Sequence, residues 1–119
     1  MCNLFFSLQT DKAMTDLNQL AEDSFASAFR RFPNLSSIGL IRKMYEEINE
    51  LDQAFTEDLM CCPRASEHCP ELTAVEEELA DVILACLVFA KCENIDVDGA
   101  LRIKNEFNKT RPLTEEENV

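Results

Sequence analysis

Residues 76–90 constrain most what this chain can fold into. Glu76, Glu77 and Glu78 open the stretch, and an apolar run from Leu79 to Ala90 follows with one carboxylate, Asp81, set inside it. No Lys, Arg or His lies near Asp81 in sequence. A run that is apolar almost all round predicts a buried helix, and a carboxylate drawn into a core must be paired, protonated or bound to a cation. Asp81 therefore predicts a partner elsewhere in the chain. The other dense acidic group, Glu46-Glu47-Ile48-Asn49-Glu50, is the candidate.

Only two Gly and four Pro punctuate the 119 residues, of which 46% are hydrophobic. That composition predicts one all-α domain of long helices rather than a β fold of many tight turns. Ala13, Leu17, Leu20, Ala21, Phe25, Ala28, Phe29 and Phe32 recur at helical spacing and predict a first helix over 13–32, stopped by Pro33. Its Phe25, Phe29, Phe32 stripe reads as core, and Arg30 and Arg31 beside it as solvent-facing. A second helix, capped by Ser36 or Ser37 and running to about Asp58, carries Leu40, Ile41, Met44, Ile48, Leu51 and Phe55 on one face. Thr73 and Glu76 form a capping box for a third helix, in which Glu76 and Glu77 serve the N-terminus and the segment from Val82 to Cys92 is central. Asp96 caps a fourth helix carrying Leu101, Ile103 and Phe107. These bounds divide the chain into an N-terminal segment at 1–12, a helical domain at 13–112 and an acidic tail at 113–119.

The formal charge is −12, which speaks against a nucleic-acid partner. No stretch reaches membrane-spanning length, and residues 1–8 lack the basic start of a signal peptide, so a cytoplasmic protein is expected. In that setting the six cysteines read as free thiols. Cys61, Cys62, His68 and Cys69 lack the usual paired zinc spacing, and read as an ordinary loop. Asn94-Ile95-Asp96-Val97-Asp98-Gly99 starts like a calcium loop, but the twelfth position is Asn105 rather than an acid, so a turn is expected there.

On the second helix, Glu47 and Glu50 project about 60° apart at the border of the apolar face. Glu78 and Asp81, three residues apart, share a face of the third. If the two helices pack, Glu47, Glu50, Glu78 and Asp81 make an all-oxygen pocket suited to Mg²⁺ or Mn²⁺ and poorly suited to zinc. Repulsion among four carboxylates and the cost of burying them both point to a cation. A di-iron bundle expects a Glu-x-x-His pair, and His68 is the only histidine. Lys104, Asn108 and Arg111 on the fourth helix offer a basic patch for a phosphate or diphosphate.

Glu46, Glu47 and Glu50 in E-E-x-x-E, and Glu78 and Asp81 in E-x-x-D, resemble the signature of the MazG-like, all-α nucleoside triphosphate pyrophosphohydrolases. The segments 95–101 and 104–112, with Lys104, Asn108 and Arg111, extend the resemblance, which covers about residues 36–112. It implies a four-helix bundle completed by oligomerisation as a homodimer or homotetramer. Glu47, Glu50, Glu78 and Asp81 would hold Mg²⁺, with Mn²⁺ as substitute. Glu46 would act as general base or serve a second metal, and Lys104, Asn108 and Arg111 would hold the triphosphate. The implied reaction splits a (deoxy)nucleoside triphosphate between its α and β phosphates, giving the monophosphate and pyrophosphate, as nucleotide-pool house-cleaning. At the base pocket the pattern departs: the chain has no Trp, one Tyr, and no base-reading motif in residues 1–35. The alternative expectation is a catalytically silent helical interaction or regulatory module with a structural metal site.

Overall fold

The computed structural model describes residues 16–114. The N-terminal segment at 1–12, Ala13 at the start of the predicted first helix, and residues 115–119 of the acidic tail lie outside the described residues. Four helices make up the described chain: α1 (Leu17–Arg31), α2 (Ser37–Met60), α3 (Ala74–Cys92) and α4 (Val97–Thr110). No strand occurs among the described residues, and Ala65 and Thr73 form only an isolated bridge within the α2–α3 connection. None of these helices is long and apolar enough to cross a membrane.

Each helix starts where a short polar side chain can accept one of its orphan N–H groups. The Asp16 carboxylate accepts from Gln19 N, Ser36 Oγ from Gly39 N, and Asp96 Oδ1 from Gly99 N. The capping box at α3 is complete: Thr73 Oγ1 accepts from Glu76 N at 3.1 Å, and Glu76 Oε1 accepts from Thr73 N at 2.9 Å. Asn94 ends the α3 cap with a φ of 56°. Its N–H donates to Lys91 O at 3.1 Å and that of Ile95 to Ala90 O at 2.8 Å. This is a Schellman cap, so 94–96 is a helix-to-helix turn, as expected, with Asp96 occupied in capping α4.

α3 is the central helix. It packs most extensively on α2 and next on α1, and supplies Leu87, Val88 and Ala90 to a buried apolar set completed by Ala21, Leu40 and Ala54. Ser37 at the start of α2 hydrogen-bonds Glu93 just past the end of α3, which sets these two helices antiparallel.

The inward stripe of α2 differs from the predicted one. Ser37, Leu40, Met44, Glu47, Leu51, Ala54 and Asp58 are the positions wholly or partly covered, whereas Ile41, Ile48 and Phe55 are exposed. The spacing that puts Met44 and Leu51 on α3 also puts Glu47 there. The Phe stripe of α1 is likewise only partly core. Phe25 and Phe29 stack at 6.0 Å, but Phe29 and Phe32 are half exposed.

α4 has no buried residue and packs chiefly on α1. Asn18 fastens its start: the amide Nδ2 donates to Asp96 Oδ1 at 2.9 Å, and its Oδ1 accepts from the N–H groups of Val97 and Asp98. The described residues form the all-α, four-helix arrangement the sequence predicts, with a three-helix core and a fourth helix held at one end.

Candidate functional site

Packing of α2 on α3 brings the two acidic groups together. Carboxylate oxygens of Glu47, Glu50 and Glu78 lie within 4.8 Å of one another, the sole such set of three or more metal-type side chains among the described residues. Glu47 is carried there by the inward stripe of α2, and Glu50, one turn on, stands at the rim. Glu78 comes from the opening turns of α3, ahead of its apolar run. Its Oε1 is shut off from water with no hydrogen-bond partner. A buried carboxylate oxygen left unpaired costs free energy that a cation recovers.

Asp81 sits beside this set, and the electrostatics connect them. Burial raises the Glu47 carboxyl above its ordinary range, with Glu50 and Asp81 adding to the effect and Lys43 opposing it. Glu78 is raised by burial, then by Glu50, Asp81 and Glu77. Asp81 is raised by burial, then by Glu77 and Glu50, while Lys43 and His68 pull it back. Each of the three acids is thus penalised for carrying charge, first by lost water and then by its neighbours.

Two neighbours of the site, Lys43 and Glu77, were not read as part of it from the sequence. Lys43 places Nζ 3.6 Å from Glu47 Oε2 and 3.7 Å from Glu46 Oε1. The i, i+3 and i, i+4 spacings that make these pairs were legible. Glu76 completes the capping box, and Glu77 stands beside it in the first turn of α3, as expected. Glu77 also accepts a hydrogen bond from Ser66 and faces His68 Nδ1 at 3.6 Å. The α2–α3 connection is thereby tied to the acidic rim.

A cavity of about 990 Å³ opens between α1, the α1–α2 turn, α2 and α3. Its walls include Leu20, Phe32, Pro33, Leu40, Leu84 and Val88, its polar groups include Ser24, Ser27, Asn34 and Arg31, and Lys43, Glu47 and Asp81 stand at its acidic side. Arg31, exposed as expected, also lines it. The volume falls in the range of small-molecule sites, and the mixture of apolar wall and few convergent polar groups is typical of them.

The remaining predicted residues are placed elsewhere. Glu46 is an exposed residue held only by Lys43. Lys104 and Asn108 stand on α4 and Arg111 caps its C-terminal end, and none lines the cavity; the Lys104 ammonium lies over the Phe107 ring, 4.7 Å from its centroid. Cys61, Cys62, His68 and Cys69 do not converge into a three-ligand metal site.

Comparison of the chain with family models, with curated proteins and with solved structures gave no match. What the site does is therefore argued from its chemistry.

Proposed function

We propose that this chain hydrolyses (deoxy)nucleoside triphosphates to nucleoside monophosphate and pyrophosphate in a Mg²⁺-dependent reaction, as a cytoplasmic nucleotide-pool house-cleaning enzyme of the MazG-like type. The observation that carries the reading is adjacency: Glu47, which clusters with Glu50 and Glu78, and Asp81 line one side of a cavity of about 990 Å³ with room for a nucleoside. An all-carboxylate donor set with an orphaned, buried Glu78 oxygen fits a hard dication. Glu47, Glu50, Glu78 and Asp81 would hold Mg²⁺, and Mn²⁺ would substitute.

The bound cation supplies neutralisation of the phosphate oxygens and a lowered pKa for water. The chain's own side chains do the rest. Base and sugar enter between α1 and α3, where Phe32, Leu84 and Val88 offer apolar walls and Asn34 and Ser27 offer hydrogen bonds. Lys43, at the acidic side of this cavity, turns from Glu47 to the incoming phosphates and orients them. Glu46, exposed at the rim, takes the proton of the attacking water as general base.

Lys104, Asn108 and Arg111 reach the triphosphate from a second copy in this reading, as a homodimer or homotetramer. Ile41, Tyr45, Ile48, Phe55 and Leu59 follow a three-four spacing along the exposed side of α2, broken only by Asp52, which is the pattern of a helix-pairing seam. Leu79 and Ile83 on α3 and Leu101, Ile103 and Phe107 on α4 are exposed as well. Apolar surface on this scale marks an association face.

The absence of Lys104, Asn108 and Arg111 from the cavity lining favours the second reading, a silent helical interaction module that retains a structural metal site. A panel of nucleoside triphosphates with Mg²⁺ or Mn²⁺ decides between them, with pyrophosphate release read as phosphate after inorganic pyrophosphatase. Metal-dependent release from at least one nucleotide is expected. A blank panel together with tight Mg²⁺ binding overturns the enzyme in favour of the module.

A further inference from the structure

Outside the acidic site, the connection after α2 presents two thiols side by side. Cys61 Sγ and Cys62 Sγ lie 3.3 Å apart, and both residues are exposed. The pair is held from both flanks. Cys61 N–H donates to Asp58 O as the C-cap of α2. Pro63 follows and restricts the backbone of Cys62 to extended conformations. Arg64 pins the next residue, with Nε 2.9 Å from Asp58 Oδ1 and Nη1 3.0 Å from Glu57 Oε1. Beyond it, Ala74 N–H donates to Arg64 O.

Three kinds of occupant compete for such a pair. Direct oxidation would have to close the sulfurs to about 2.05 Å between adjacent residues whose Cα atoms are only about 3.8 Å apart, short of the usual disulfide span. Zinc would spread two sulfurs to about 3.8 Å and requires four ligands, and no third His, Cys, Asp or Glu joins the pair among the described residues. A trivalent metalloid needs fewer ligands, and its lone pair closes the S–centre–S angle toward a right angle, which suits the shorter separation.

We propose that Cys61 and Cys62 form a chelating dithiol site for trivalent arsenicals. In the step, each thiol S–H is replaced by an S–As bond. With an arsine oxide, R–As=O, both protons leave with the oxygen as one water, and arsenic stays trivalent, so no oxidant or reductant takes part. The site stands independently of the reading of the acidic cluster.

The test uses the full, reduced chain, phenylarsine oxide as probe, and intact-mass spectrometry. One adduct per chain is expected, resistant to excess glutathione and removed by 2,3-dimercaptopropanol. Cys61→Ser and Cys62→Ser, both at exposed positions, should each weaken retention by at least about 100-fold, the advantage of two-point over one-point attachment. Cys69→Ser should leave it unchanged. An adduct that survives intact in Cys62→Ser, one that glutathione strips from the unaltered chain, or no adduct at all overturns the proposal.

Discussion

The ammonium of Lys43 lies 3.6 Å from the Glu47 carboxylate, one helical turn away, and both side chains line the same cavity. As a partly exposed pair within one helix it contributes only about 0.3–0.5 kcal/mol to stability. Its weight lies in the proposed function. A charged hydrogen bond to phosphate is worth about 1.5–3 kcal/mol, so Lys43→Ala should raise KM for the nucleotide roughly ten- to hundredfold. The kcat should change far less, and Lys43→Arg should restore most of the affinity. Steady-state kinetics on the three proteins measure the split, and an unchanged KM in Lys43→Ala removes Lys43 from the substrate's path.

The acidic cluster should make the metal-free protein more stable as the medium is acidified from neutrality. Glu47, Glu78 and Asp81 are all raised in the folded state, by burial first. The folded chain therefore binds more protons than the unfolded chain from the ordinary carboxylate range upward, beginning near 4.5 for a glutamate, and stability falls as pH rises through that window. Asp96 works the other way. Its carboxyl is lowered by the Asn18 hydrogen bond and then by Gly99 N–H, so its contribution is lost only as pH falls below the ordinary 3.8. Thermal unfolding in a chelator should show a maximum on the acid side of neutrality. Mg²⁺ at about a hundred times its Kd should add about 2.7 kcal/mol at pH 7. A metal-free melting temperature that rises from pH 5.5 to 7.5 contradicts the sign.

Removing one charge from the cluster separates activity from folding. Glu50→Gln keeps the shape of the side chain while relieving its repulsion of Glu47 and Glu78, and Asp81→Asn does the same inside the α3 face. Each variant should melt higher than the unaltered chain without metal. Each should also lose pyrophosphate release by more than about 100-fold, the scale for losing one preorganised electrostatic group. Full turnover in both variants sinks the proposed reaction.

Much of this arrangement was legible because it follows from one-dimensional periodicity. The Thr73–Glu76 box, the Asp96 cap and the central place of α3 depend on neighbours within a turn or on an apolar run, and all three were read correctly. The partition of apolar residues along α2 was not. Leu40 and Ile41, or Ile48 and Leu51, are equally hydrophobic, and only the position of α3 decides which stripe is covered. For a similar reason the further contacts of Glu77 were not legible. An acid in the first turn suits the helix N-terminus, where Glu77 stands, but it also meets Ser66 and His68, from a connection whose path no local pattern specifies. Lys104, Asn108 and Arg111 share a helix face, but the direction in which α4 leaves the core depends on Asn18, almost eighty residues earlier.

That last contact carries its own prediction. The Asn18 side chain bonds Asp96 Oδ1 at 2.9 Å and the N–H of Val97 at 3.1 Å, with Asp98 N–H at 3.4 Å. α4 has no buried residue, so little apolar packing holds it if this clasp is cut. Asn18→Ala should cost about 1–2 kcal/mol, the net worth of a few partly exposed hydrogen bonds. The loss should be local: amide exchange should quicken throughout Val97–Thr110 while the amides of α2 and α3 keep their protection. Asn18→Asp should do more harm, because it sets a second carboxylate against Asp96. If α4 stays protected in Asn18→Ala at concentrations where the chain is monomeric, its hold lies elsewhere than at Asn18. Protection regained as concentration rises would instead point to a second copy covering Leu101 and Phe107, and with it to the route by which the α4 cations reach an acidic site.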